Sequence, residues 1–243
     1  MKQQLIYLSL LILCACETAP NPNPEVLYFG ALKNMMHKGD ISASVDLSSL
    51  KDLEHLYGLG AVEGLKGEVL IWDSQYLIAQ KKNNQLELLN KTDLKATLFV
   101  YSQVAEWTEH RIPNDVRSYQ ELEAHVEAVA RTQGLSTAAP FPFLLEGNFK
   151  QVDWHVIDWA DGDTEHSHEK HITSGLHQRY TNTPGLVLGF YSSSHQGIFT
   201  HHSSNMHLHI RSLEGDFAAH LDDLILDDDV VLKLPDFELG IRN

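Results

Sequence analysis

His207-Leu208-His209 is followed eleven residues later by His220, and three imidazoles at those intervals have the spacing of a single metal site. In an extended strand alternate side chains share a face, so His207 and His209 point the same way. Residues 206–213 and 216–226 flank Glu214-Gly215 and read as two strands joined by a tight hairpin. Pairing Leu213 with Asp216 across that turn sets His209 opposite His220, with their Cβ atoms about 5 Å apart. Three neutral imidazoles with one coordination position open are the pattern of a catalytic zinc or similar divalent ion, not of a closed structural site.

The chain has 15 His, eleven of them after residue 150, so pairs also arise by chance. Glu165-His166-Ser167-His168 repeats the two-residue spacing. It lies in a polar run over 160–173 that reads as a solvated loop, where His is an ordinary polar residue. The candidate ligands are therefore His207, His209 and His220.

The elements around them divide the chain. A helix is expected at 32–37 with Gly39 as its stop, and a second short helix over 50–57 closed by Gly58. Residues 68–72 and 75–79 flank Asp73-Ser74 as a hairpin, and 95–102 is rich in strand formers. From Ser118 to Gln133, Leu122, Val126, Val129 and Ala130 share one side, and Ser118 with Glu121 forms a capping box. Beyond Pro140-Phe141-Pro142 the pattern turns to strands at 143–146, 149–158, 185–191, 197–201, 206–213 and 217–226. The expected fold class is α+β with two domains: a mixed α/β N-terminal unit over 26–140, then a largely antiparallel β unit over 141–243 that carries the three-histidine site.

At 243 residues the chain buries a sizeable core, and 43% hydrophobic with 21% charged residues is an ordinary globular balance. A formal charge of -15 and the lack of any basic stripe exclude a nucleic-acid partner, which would require clustered Lys and Arg. Residues 1–16 read as a leader: Lys2 gives a positive start, 5–13 is an apolar run too short to span a bilayer, and Leu13-Cys14-Ala15-Cys16 ends it. That ending looks like a bacterial lipoprotein cleavage box. It makes Cys16 the lipidated first residue of a mature protein exported to the cell envelope, with 17–25 a Pro-rich tether. With both cysteines so used, neither a disulfide nor a thiolate metal site remains.

Gly58-Leu59-Gly60, Gly64-Leu65-Lys66-Gly67-Glu68, Gly185-Leu186-Val187-Leu188-Gly189-Phe190-Tyr191 and the triad His207, His209 and His220 together resemble the bacterial α-acetolactate decarboxylases. The likeness runs from about Phe29 to Leu226. It implies two α/β domains with zinc between them, commonly a homodimer, and decarboxylation of 2-acetolactate, a 2-hydroxy-3-keto acid, to acetoin and carbon dioxide. The residue types suit that chemistry. The vicinal oxygens of such an acid chelate a metal, and a Lewis acid holds the charge of the enediolate left when carbon dioxide departs. A nearby carboxylic acid then protonates the carbanion. Glu68 matches the family's catalytic glutamate.

The sequence also departs from the family pattern. His155 stands where the family has an arginine near the zinc, and it cannot supply a bidentate, permanently charged guanidinium, though it can donate a hydrogen bond or help protonate. Ala61 replaces a threonine close to the pocket, with Glu63 or a His of 166–177 as compensating candidates. No counterpart of a C-terminal family glutamate appears before Asn243. Two other readings follow: a metal-binding envelope lipoprotein without turnover or with altered specificity, and a cupin-like iron or manganese dioxygenase using His207, His209 and Glu214.

Overall fold

The computed structural model describes residues 23–236. The leader, Cys16 and most of the tether therefore lie outside the described residues.

Strands β1 (Val26–Phe29), β2 (Val45–Asp46), β3 (Leu56–Val62), β4 (Glu68–Trp72), β5 (Gln75–Lys82), β6 (Gln85–Leu89) and β7 (Lys95–Gln103) build a first sheet. Its order is β1-β7-β3-β4-β5-β6, with β2 also on β7. Asp73 and Ser74 take φ of 46° and 64° between β4 and β5, the positive pair that a type I′ hairpin requires. Helix α1 (Leu32–Lys38) ends on Gly39 in the left-handed conformation.

Strands β8 (Trp107–Arg111), β9 (Phe141–Val156), β10 (Leu176–Tyr191), β11 (Met206–Arg211), β12 (Ala218–Leu226) and β13 (Val231–Pro235) form the second sheet. All its pairings are antiparallel. Because β9 and β11 each pair with both β10 and β12, these four strands close on one another, so none of the four presents a free edge along the paired stretch. Helix α2 (Tyr119–Thr132) carries the capping box read from Ser118 and Glu121. Its stripe of Leu122, Val126 and Ala130 is buried in one core cluster with Phe141, Phe143 and Leu224. Burying each large apolar side chain there contributes about 1.5–3 kcal/mol. The described residues are thus mostly antiparallel strand with few helices. The switch between sheets falls between β7 and β8, ahead of the change in composition at residue 140.

Three expectations are corrected. Residues 50–57 are not a helix: only Leu47–Leu50 forms a 3-10 turn, and β3 starts at Leu56. Gly58 lies inside that strand because the Phe99 ring occupies its face; a Cβ there would sit 2.5 Å from Phe99 Cζ. Residues 197–201 form a turn, not a strand, with Gln196 and Thr200 meeting only in an isolated bridge. The polar run at 160–173 holds helix α3 (His168–Thr173), capped by Ser167 and anchored by the buried His171.

Candidate metal centre and active site

The hairpin register holds. His209 pairs with His220 across β11 and β12, and His220 pairs in turn with His155 across β12 and β9. Directly opposed residues share a face, so three adjacent strands set three imidazoles in a row. The His207, His209 and His220 ring centroids stand 5.1–5.3 Å apart, a nearly equilateral triangle. One donor nitrogen from each lies within 4.8 Å of the other two.

These donors fit a metal. Nδ1 of His207 and both ring nitrogens of the fully buried His209 have no hydrogen-bond partner among the described residues. A buried polar group left unpaired costs about 1–3 kcal/mol, and an ion taking one nitrogen from each ring would remove that cost at the nitrogens it occupies. Burial, with neighbouring imidazoles, holds His207 and His209 far below the usual imidazole range. They are therefore neutral and offer the lone pairs a cation needs.

Glu68 reaches this group from the other sheet. It opens β4 immediately after Gly67, whose φ of +137° favours glycine and whose Cβ would lie 2.4 Å from the Ala79 carbonyl oxygen. Its Oε1 accepts the Ile157 N–H at 3.1 Å and lies 3.7 Å from His155 Nε2, while Oε2 lies 3.7 Å from His209 Nε2. Burial pushes the Glu68 carboxyl up to about 7, partly offset by His220 and the Ile157 N–H. A carboxyl so placed is available as an acid near neutral pH.

Asp222 escaped the sequence reading. A β-bulge between Leu221 and Asp223 leaves it unpaired in the ladder and aims it at the site. Its carboxylate accepts from His155 Nδ1 at 2.8 and 2.9 Å, and its Oδ1 stands 3.1 Å from His220 Nδ1. Burial alone would raise it, but these two imidazoles hold it well below the carboxylate range. The signal was available: in a strand, residue 222 shares a face with residue 220.

A cavity of about 410 Å³ opens beside the triad. Glu68, His155, His207, His220 and Asp222 line it, as do His168, His171 and Ala61, while no Lys or Arg is among its lining residues. Helix α3 thus contributes His168 and His171 to the cavity, and just before it His166 stacks on Trp159 at 4.4 Å with its Nδ1 2.9 Å from His171 Nε2. Glu63 is exposed and outside the lining. Glu214 is exposed in the 212–217 turn, which removes the third ligand of the cupin-like reading.

Fold and site define a class: an antiparallel two-sheet protein with a three-histidine donor set and a buried carboxyl reaching across to it. The chain belongs to the alpha-acetolactate decarboxylase family, whose sequence profile matches residues 27–238. Among solved structures it is similar to a Staphylococcus aureus protein of unknown function described as similar to alpha-acetolactate decarboxylase, at 19% identity and TM-score 0.67, covering 88% of this chain and 86% of that one. It is similar also to alpha-acetolactate decarboxylase from Bacillus subtilis strain 168, at 14% identity and TM-score 0.68, with 87% and 85% covered. The acetolactate decarboxylase of Bacillus subtilis subspecies spizizenii gives 16% identity and TM-score 0.69, with 87% and 86% covered. At these identities the likeness is one of fold. No curated protein sequence matches the chain.

Proposed function

We propose that the chain is a zinc-dependent carboxy-lyase converting 2-acetolactate to acetoin and carbon dioxide. The observation that carries this reading is the approach of Glu68, from the first sheet, to within 3.7 Å of both His155 and His209 of the second. In this account His207, His209 and His220 hold the zinc. When bound, it would supply a Lewis acid for the charge that builds as carbon dioxide leaves.

The chain's own residues do the rest. The Ile157 N–H fixes one oxygen of Glu68, so the carboxyl faces the row of imidazoles in a set orientation. The bond from C2 to the carboxylate carbon breaks, carbon dioxide departs, and Glu68 gives its proton to the carbon left behind, taking another from solvent afterwards. Asp222 accepts from Nδ1 of His155, which leaves Nε2 of that ring directed toward Glu68. His155 thereby orients the acid.

The test is acetoin and carbon dioxide release from 2-acetolactate by the zinc-loaded full chain. Release that disappears in Glu68→Gln with zinc retained supports the reading, and a protein that holds zinc yet yields no acetoin overturns it.

We further propose that the protein is exported and anchored to the envelope by lipid on Cys16, and that it pairs as a homodimer. Among the described residues no helix is long and apolar enough to cross a membrane. Labelling with a radioactive fatty acid, lost in Cys16→Ala, tests the anchor. Light scattering tests the dimer.

A further inference from the structure

The cavity beside the triad is larger than the substrate proposed above. 2-Acetolactate has nine non-hydrogen atoms; granting each the roughly 30 Å³ that a molecule takes in liquid water, they fill about 270 Å³, and an ion adds about one more such share. The cavity measures about 410 Å³. On the order of 100 Å³ is left over, room for at least three or four further carbons.

The surplus has an apolar wall. Met35, Leu65, Leu98 and Phe199 line the cavity and belong to one core cluster, with Leu32 packed against it at the rim. These side chains share that cluster, and among the cavity's lining residues there is no Lys or Arg to bind a second charged group. Buried apolar surface is then the source of binding energy available to the part of the substrate that does not react.

We infer that the chain acts on a 2-hydroxy-3-keto acid bearing an apolar chain at least three carbons longer than the methyl groups of 2-acetolactate, laid against Met35, Leu65, Leu98 and Phe199. This rests on the decarboxylation reading and names its substrate class. The chemistry is unchanged: the bond to the carboxylate carbon breaks, carbon dioxide leaves, and the proton goes to the same carbon. The product is a longer α-hydroxyketone.

The experiment compares carbon dioxide release by the zinc-loaded full chain from 2-acetolactate and from homologues lengthened by one, two and three methylenes. The expected result is a rise in kcat/KM of about fourfold per methylene, the ~0.8 kcal/mol of a buried CH₂. Leu32→Trp fills the rim of the wall from a partly exposed position. It should erase the gain for the longest homologue and leave 2-acetolactate within about twofold of the original rate. Turnover of 2-acetolactate with a flat or falling series overturns this inference and leaves the decarboxylase reading intact. A rise that survives Leu32→Trp unchanged overturns the placement on this wall. No carbon dioxide from any homologue overturns both.

Discussion

Asp222 holds His155 by Nδ1 at 2.8 Å and stands 3.1 Å from Nδ1 of His220, so one carboxylate lies beside two rings of the row. A carboxylate on the far nitrogen of a ligating histidine fixes its tautomer and raises its basicity. Replacing Asp222 with Leu should therefore weaken zinc binding about 10- to 100-fold, measured by competition with a chelating dye. An affinity equal to that of the unaltered chain would mean that Asp222 orients nothing.

Glu68→Gln keeps the shape of the side chain and its contact with the Ile157 N–H, but removes the transferable proton. The expected effect is a fall in kcat of about a hundred- to ten-thousandfold, with zinc content and KM little changed. Steady-state kinetics paired with metal analysis separates this from loss of the metal, which His209→Ala should produce.

On the proposed reading zinc would bind the folded triad in preference to the dispersed chain, and so it should stabilise by mass action. At a hundred times Kd the gain is about 2.7 kcal/mol, which for a chain of this length raises Tm by roughly 5–10 °C. Thermal melts with and without a chelator read it directly, and the shift should vanish in His209→Ala.

His171 is buried, and burial together with neighbouring imidazoles pushes it down to about 4 from an ordinary value of 6.5. Its folded-state value is lower than its unfolded one, so between these pH values the unfolded chain binds more protons. The stability it contributes is present above about pH 6.5 and is lost as pH falls towards about 4. In metal-free protein, His171→Gln should flatten the fall in Tm across that window. An unchanged slope would show that another group is responsible.

The triad was legible because two local rules suffice: side chains alternate along a strand, and a short turn fixes register. Those rules set His209 opposite His220, and the fold bears the pairing out. The same alternation marks Asp222, but only the bulge at Leu221 brings it onto His155. Glu68 is different in kind. It lies on a separate sheet, and no local pattern links residue 68 to residue 209; the family resemblance singled it out. The misread helix at 50–57 has a tertiary cause, since Gly58 marks a place where the Phe99 ring packs rather than a helix stop. The polar run at 160–173 misled for a similar reason: its structure depends on His171 reaching the core and His166 stacking on Trp159, contacts that composition does not reveal.

The most direct measurement of the central claim is a titration of metal-free full chain with zinc, following acetoin release from 2-acetolactate at each addition. The account predicts a rate that climbs linearly and stops at one zinc per chain, and that stays at the uncatalysed level in His209→Ala at the same zinc. Turnover that is already complete before zinc is added, or zinc bound at one per chain with no acetoin, would contradict it.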